Sequence, residues 1–511
     1  MSATTPTAEP MGPRIEATGG NGSEPPQFPQ TMGHPRPLWM LFMTEFWERF
    51  AFYGIRWALT LYIVQAFYAG SGEGEAPASR IYGAYLALVY AAAIVGGYIA
   101  DRVIGYQRSI LLGAVVMSAG LFMIAWPDQT VFHIGLATVI AGNGLFKPNI
   151  SAMVGKLYAP TDERRDSGFT LFYMGINAGA FIAPILTSIL SDKVFGTDAV
   201  PAYKTVFIAS GIGMLISLVW FWFGRRQLGP IGRPLEGAEN KSRVLWVLLF
   251  VLASVPVYYF LLAIDAAMLQ WILSAMFIVL CVMLLVEGFR EGPVARDRAI
   301  AMLIIFVFNV LFWCFFEQAG SSFNFLADKI VDREMFGWIF PVGWFQSVNS
   351  LAIITIAPLL AWLWIRMGKS NPSIPRKFGL GLIFNGLAFL LLMFALSSLV
   401  NGAGLIPFWT LFMVYVIQSV GELCLSPIGL SMTTKLAPVK LVGFAMGGWF
   451  LSTGIGNNLS GIFASHVSGE TGMTVESAHA GYTQGFWILL VGGVLLFLVA
   501  PLIQRLMHGV K

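Results

Sequence analysis

The sequence predicts an all-α polytopic membrane protein of about fourteen transmembrane helices, built as two six-helix bundles with a two-helix hairpin inserted between them. Three observations predict it. Of 511 residues, 57% are hydrophobic and only 11% charged, where soluble domains carry roughly 25% charged residues. Apolar runs of roughly 20 residues, each able to cross a bilayer core of about 30 Å as a helix, recur from Leu38 to Gln504. Short signatures in the first half of the chain return, in order, in the second. The 55 glycines and 26 prolines suit this class, because both are frequent in transmembrane helices.

Taken in order, residues 1–37 are polar, rich in Pro, Gly and Thr, and lack an apolar h-region before a small-residue cleavage site. They read as a disordered tail and not as a signal peptide. Apolar runs then place spans near 38–67, 81–100, 109–126, 131–154, 168–190, 203–223, 244–263, 267–286, 299–322, 337–365, 379–399, 407–432, 441–465 and 484–504. If the N-terminus is cytoplasmic, the connections inside carry 23 of the 31 basic residues and those outside five (Arg80, Lys193, Lys204, Lys329, Arg333), with three inside spans. That is a strong positive-inside bias, and it predicts a multi-pass protein of the cell membrane (the inner membrane in a Gram-negative cell) with both termini cytoplasmic.

The repeat supplies the architecture. Phe46-Trp47-x-x-Phe50-x-x-x-Gly54 in the first span matches Phe312-Trp313-x-x-Phe316-x-x-x-Gly320 in the ninth. Pro148, with Lys156 eight residues on and then Ala159-Pro160, matches Pro427, with Lys435 eight residues on and then Ala437-Pro438. The predicted division is an N-terminal bundle at 38–223, a basic linker with two extra spans at 224–297, and a C-terminal bundle at 298–511. Two such parallel halves, with substrate at the midplane between them, are the arrangement of major facilitator transporters. The extra hairpin carries no deep ionisable group and reads as a peripheral structural element.

Several chemistries are excluded. Cys281, Cys314 and Cys424 lie in apolar stretches without CxxC spacing, and no pair of the five histidines has metal-ligand spacing. There is no P-loop and no Ser-His-Asp pattern, and Lys147 stands where the third glycine of a GxGxxG would be. The expectation is a protein that is not an enzyme, with no cofactor, no metal and no nucleic-acid partner.

Seven ionisable residues fall deep inside spans: Glu45, Glu48, Arg49, Arg56, Lys147, Glu317 and Glu422. Each costs roughly 2.5–3.5 kcal/mol at a helix centre even on the mild insertion scale, so they must line a wet cavity or pair with one another. Positions 45, 49 and 56 lie within about 40° of one helical face, and Tyr53 joins the stripe. Lys147 precedes the proline of span 4, and Glu422 lies five residues before the corresponding proline of span 12. A cationic site in one half therefore faces an anionic site in the other. That polarity suits a ligand with a carboxylate at one end and an amine at the other, whereas a sugar would call for neutral groups and a lipophilic cation only for acids. Fully ionised, the seven groups sum to −1, which leaves room for a proton.

At these residues the chain resembles the proton-dependent oligopeptide transporter family of the major facilitator superfamily, bacterial type. Glu45-Phe-Trp-Glu48-Arg49-Phe-Ala-Phe52-Tyr53-Gly54 is similar to its ExxERFxYYG motif. Gly142-Asn-Gly-Leu-Phe-Lys147-Pro-Asn149 resembles the fourth-helix stretch, and Phe172-Tyr-Met-Gly-Ile-Asn177-Ala-Gly179 the FYxxINxG motif of the fifth. Phe316-Glu317-Gln318-Ala-Gly320 and Gly421-Glu422-Leu-Cys-Leu-Ser426-Pro427 resemble the seventh and tenth helices, and Gly97-Tyr-Ile-Ala-Asp101-Arg102-Val-Ile-Gly105 the general facilitator loop. The resemblance implies proton-coupled symport of di- and tripeptides by alternating access, driven by the proton gradient without a cofactor, in a carrier that works as a monomer in the lipid bilayer. It further implies that Arg49 and Lys147 hold the peptide carboxylate, with Glu45 and Glu48 coupling their state to the proton. Asn177, Asn349 and Glu422 would hold backbone and amine groups, and Tyr53 and Tyr90 would line the cavity. Arg56 and Glu317 would form a gating salt bridge on the periplasmic side, with Glu317 also sensing the proton.

Two positions depart from the family pattern. Phe52 replaces the first tyrosine of the motif, and Ser350 follows Asn349 where proline is common. The alternatives are a same-fold importer of another small anion or zwitterion, such as nitrate or an amino acid, and a non-transporting peptide sensor.

Overall fold

The computed structural model describes residues 26–159, 162–234 and 241–510. Most of the predicted tail, Pro160 of the Ala159-Pro160 signature and part of the linker lie outside these residues, as do the side chains of Lys241, Pro427 and Leu430.

The described residues are almost wholly helical. The helices are α1 (Arg36–Phe67), α2 (Glu75–Ile99), α3 (Tyr106–Ile124), α4 (Gln129–Gly155), α5 (Arg165–Ile189), α6 (Lys204–Gly224), α7 (Lys241–Ala263), α8 (Ala266–Glu291), α9 (Pro293–Phe316), the short α10 (Ser322–Lys329), α11 (Trp344–Met367), α12 (Ile374–Ser398), α13 (Phe408–Leu436), α14 (Val442–Ser468) and α15 (Val475–Leu506). Apart from α10 these are fourteen long helices, and the protein is a multi-pass membrane protein. Twelve spans are apolar and long enough to cross a bilayer by composition, with α9 and α10 counted as one. The two helices outside that set, α4 and α14, carry Asn143, Lys147 and Asn149, and Asn457 and Asn458. Each packs against four or more neighbouring helices. Their polar residues therefore meet protein instead of lipid, which is where such groups are tolerated.

Packing follows the repeat. α1 packs on α5 and α6, and α3 on α4 and α6, while α12 packs on α13 and α15, and α14 on α9. The two sets meet along α2 against α14 and α5 against α11. The α2–α14 seam is close because Gly83 and Gly461 face each other; a Cβ on Gly83 would lie 2.8 Å from the Gly461 Cα.

Two local features differ from expectation. The end of the predicted disordered tail is ordered: β1 (Gln30–Thr31) pairs antiparallel with β2 (His34–Pro35). His34 Nδ1 is 2.8 Å from the Tyr158 hydroxyl, and Arg164 donates to Gln30 Oε1 and the Gly33 carbonyl, both at 3.1 Å. These bonds tie the strap to the α4–α5 connection. The tenth span was placed near 337–365, but α11 begins at Trp344. The apolar residues before it form a turn between β4 (Glu334–Met335) and β5 (Trp338–Ile339), opened by positive φ at Phe336 and Gly337. Just upstream, β3 (Val331–Asp332) runs parallel to β6 (Ile406–Pro407). Finally, the two helices of the inserted hairpin take different main partners. Among the described residues α7 packs on α4 and α2, and α8 on α9 and α14, so the pair straddles the two helix sets.

Candidate functional site

The site is built on one face of α1. Glu45, Glu48, Arg49, Phe52, Tyr53 and Arg56 follow the i, i+3, i+4, i+7, i+8, i+11 spacing of a single helical stripe. Arg49 Nε lies 3.2 Å from Glu45 Oε1, and Arg49 Nη2 donates to Glu48 Oε1 at 2.6 Å. Arg49 Nε also bonds Glu48 Oε2, and Asn143 Nδ2 of α4 donates to Glu48 Oε1 at 3.3 Å. Glu48 thus has both oxygens engaged. Glu45 Oε2, by contrast, is buried with no hydrogen-bond partner among the described residues.

α4 brings Lys147 to the same face. Pro148 has no N–H to give to the Gly144 carbonyl, and α2 closes onto that carbonyl. A Cβ on Gly96 would lie 1.7 Å from the Gly144 oxygen, so only glycine permits this approach. The close crossing sets Tyr90 of α2 beside Lys147, whose Nζ lies 4.3 Å from the Tyr90 ring centroid and 5.7 Å from that of Phe52. Arg49 Cζ lies 4.8 Å from the same Phe52 ring. Phe52, where a tyrosine was expected, is therefore the apolar divider between the two cations. Lys147 forms no ion pair with a carboxylate among the described residues, and it stands apart from the Glu45–Arg49–Glu48 cluster.

Across from α1, α11 and α13 pair Asn349 with Glu422. Asn349 Nδ2 donates to Glu422 Oε2 at 3.0 Å and to Ser419 Oγ at 2.9 Å. α11 passes through Asn349 and Ser350 without a break, and its proline is Pro358, further along. Tyr53 lies within electrostatic reach of Arg49, Arg56 and Glu422, and Tyr90 within reach of Arg49, Arg56, Glu317 and Glu422. Tyr90 also stacks on Phe450 of α14, with ring centroids 6.5 Å apart. Each of the two half-buried tyrosines is thus coupled electrostatically both to the arginines of α1 and to Glu422 of α13. Asn177 is buried and donates to the Tyr173 carbonyl at 3.0 Å, a bond within α5.

One end of the molecule is sealed by contacts between the two helix sets. Arg56 Nη2 meets Glu317 Oε2 at 2.8 Å, and Arg56 Nε donates to the Tyr82 hydroxyl at 3.2 Å. Glu317 opens the short 3₁₀ turn between α9 and α10. Thr60 Oγ1 donates to the Gly320 carbonyl at 3.1 Å, and Asn324 Nδ2 to the Trp57 carbonyl at 2.8 Å. Glu75, fully buried, pairs with Lys329 and accepts the Met473 N–H at 2.8 Å. Ser347 Oγ donates to the Phe181 carbonyl at 2.8 Å. These contacts between α1–α6 and α9–α15 all lie at one end, the one away from the basic connections.

Sequence reasoning brought the seven deep charges together but missed Tyr82, Asn143 and Glu75. Glu75 was hidden because α2 begins six residues before its predicted start. The facing glycine of the repeat, Gly320, was the available signal for Tyr82, since a Cβ there would lie 1.9 Å from the Tyr82 hydroxyl.

Known proteins place this geometry. The profile of the POT family (PTR2) matches residues 107–473. The Yersinia enterocolitica peptide transporter YePEPT is 35% identical over 504 residues, covering 94% of this chain and 96% of its own. The uncharacterized transporter YclF of Bacillus subtilis is 34% identical over 488 residues, with the same coverage of 94% and 96%. A crystal structure of a peptide transporter POT in complex with sulfate superposes with a TM-score of 0.81 at 35% identity, covering 95% of this chain and 98% of that one. Its fold is the major facilitator fold, and the chain is a membrane transporter, not an enzyme: it belongs to the POT family.

Proposed function

We propose that the protein is a proton-coupled symporter that brings di- and tripeptides into the cell by alternating access. The observation that carries this reading is the distribution of the buried charges, Arg49 and Lys147 on α1 and α4 of one helix set and Glu422 on α13 of the other, which suits a carboxylate at one end of the cargo and an ammonium at the other. The peptide transporters among the relatives support the same cargo.

In this mechanism residues 38–223 and 298–511 are the two moving halves, and the segment 224–297 joins them. The protein sits in the cell membrane as a monomer with both termini cytoplasmic, so the sealed end faces outward and the structure is closed to the outside. The peptide carboxylate is held by Arg49 and Lys147, and its amine by Glu422 and Asn349, with Asn177 reaching its backbone. Tyr53 and Tyr90 line the space between and bury side chains without demanding a particular one. Glu45 takes the coupling proton, because Oε2 is its one unpartnered oxygen while Glu48 is held twice by Arg49 and once by Asn143. Deprotonated, that oxygen competes with the peptide for Lys147; protonated, it releases Lys147 to the peptide. A proton on Glu317 weakens its pair with Arg56 and lets the outer end open.

The test is uptake of labelled dialanine into proteoliposomes under an inward proton gradient, with and without an uncoupler. Uncoupler-sensitive accumulation is expected. No transport of dialanine by folded protein would refute the peptide assignment, and uptake of nitrate or an amino acid in its place would identify the other cargo.

A further inference from the structure

Away from the central site, a cavity of about 480 Å³ opens at the sealed end, where the turn between α7 and α8 meets α2 and α4. Its wall carries a cation, Arg80, and an anion, Asp265, with Thr130 and His133 beside them and Ile81 and Leu262 as an apolar floor. Among the described residues Arg80 bonds through Nε alone, to Ser465 Oγ at 3.2 Å, which leaves its two terminal nitrogens for a ligand. Asp265 caps α8 through Oδ1 alone, accepting the Ala267 N–H at 2.9 Å, which leaves Oδ2. His133 uses Nδ1 on the Gln129 carbonyl at 2.7 Å, which leaves Nε2.

We propose that this cavity binds the headgroup of an ethanolamine phospholipid, with the phosphate on Arg80 and Thr130 and the ammonium on Asp265 and His133. The argument for a lipid is position together with charge. The cavity is framed by the first three turns of α2, the first two of α4, the start of α8 and the end of α7, all of them helices of spanning length, which puts it near headgroup depth. Most of the surface of α7 and α8 faces outward, and α7 packs mainly on α4 while α8 packs mainly on α9 and α14, so acyl chains have room beside the cavity. The lining pairs one cation with one anion, which matches a zwitterionic head better than an anionic one. A choline head cannot donate hydrogen bonds to Asp265, so the site discriminates between the two zwitterionic lipids. A lipid here touches α2 and α4 on one side and the turn into α8 on the other, and so bears on how the two helix sets are joined.

The experiment measures binding to the purified, detergent-solubilised protein by native mass spectrometry with phosphatidylethanolamine, phosphatidylcholine and phosphatidylglycerol, and with soluble phosphoethanolamine as competitor. The ethanolamine lipid should bind about tenfold better than the choline lipid, the worth of a charge-assisted hydrogen bond. Asp265→Asn keeps a good helix cap and should remove that preference, while Arg80→Gln should weaken both zwitterionic lipids. Phosphoethanolamine should compete only weakly, because it lacks the acyl chains; binding of it as strong as that of the lipid would overturn the membrane source. Equal binding of the ethanolamine and choline lipids, a preference for phosphatidylglycerol, or a preference that survives Asp265→Asn would overturn the proposal.

Discussion

Gly320→Ala tests whether the sealed end is held by the fit of Tyr82 between Arg56 and Glu317. The new methyl carbon would lie 1.9 Å from the Tyr82 hydroxyl and 2.1 Å from its Cζ, well inside contact distance. Tyr82 is fully buried and bonded to both Arg56 and Glu317, at 3.2 and 3.5 Å, so its ring cannot swing away freely. Either the ring leaves those partners or the two helix sets part. Overpacking costs about 1–3 kcal/mol, and the loss of one net hydrogen bond about 1 kcal/mol. The sum, about 2–4 kcal/mol, shifts the ratio of sealed to open forms roughly 30- to 700-fold. The assay is pulsed electron paramagnetic resonance in nanodiscs, with spin labels at Glu73→Cys and Glu470→Cys, both exposed near the seam. Cys281, the cysteine that is only partly buried, is replaced by serine. Gly320→Ala should add a population at longer distance. Adding Tyr82→Ala should remove most of the effect, as a double-mutant cycle of touching residues requires. A Gly320→Ala distribution that superimposes on the wild type, in protein of unchanged Tm, would refute the reasoning.

Glu45→Gln should abolish proton-driven accumulation of dialanine while leaving exchange of peptide across the membrane, since it removes the proton site and keeps the fold of α1; near-normal accumulation would sink the assignment. Lys147→Ala should abolish both accumulation and exchange, and retained exchange would show that Lys147 does not hold the cargo. Tyr90→Leu removes a cation–π contact worth about 0.5–2 kcal/mol and should weaken peptide binding roughly two- to thirtyfold, with Tyr90→Phe unchanged because the ring face is what meets Lys147; competition binding distinguishes them. Outside the membrane, hydrogen bonds from Arg164 hold the Asp162 carboxyl at about 2, below its ordinary 3.8. A depressed value means the contact is complete above the ordinary value and lost only as pH falls through about 2. Hydrogen exchange in residues 28–35, corrected for intrinsic rates, should therefore be equally slow at pH 7 and pH 4 and fast in Arg164→Ala; loss of protection at pH 4 would contradict it.

The sequence could reveal the deep charges because a charge in an apolar run is costly wherever the helix packs, so burial with a partner follows before any coordinates. The stripe at Glu45, Arg49, Tyr53 and Arg56 needed only helical periodicity. The pairing was not legible. Four candidate anions and three cations allow several neutral arrangements, and only the depth of each helix decides that Arg49 takes both Glu45 and Glu48 while Lys147 rests on Tyr90. Asn143 and Tyr82 escaped because neutral polar residues cost less and leave a weaker trace. The strap at Gln30–Pro35 escaped because its composition is that of a disordered tail and its order comes from distant Tyr158 and Arg164. α4 and α14 fall close to the spans expected at 131–154 and 441–465, although polar residues interrupt them, because an apolar run bounded by charge clusters stays legible around a few asparagines.

On the proposed mechanism, cargo and proton are tied together by charge balance. Glu45, Glu48, Arg49 and Lys147 sum to zero, as do Arg56 and Glu317, so the net charge of −1 lies with Glu422 across the space. A zwitterionic peptide adds nothing to that sum, and one proton brings it to neutrality. A peptide also gives both Lys147 and Glu422 an opposite charge. A neutral sugar would leave both without one, and a simple anion would leave Glu422 unmatched. Taking an unmatched charge out of water costs several kcal/mol, so the open end closes over the peptide-and-proton-loaded site more readily than over either cargo. The empty carrier has its own way to close. Once Glu45 has lost its proton, its free Oε2 can take Lys147, which leaves Glu422, hydrogen-bonded to Asn349, as the one charge without a counter-ion. The same oxygen thus serves the loaded cycle as proton site and the empty cycle as counter-ion, which is what strict coupling requires.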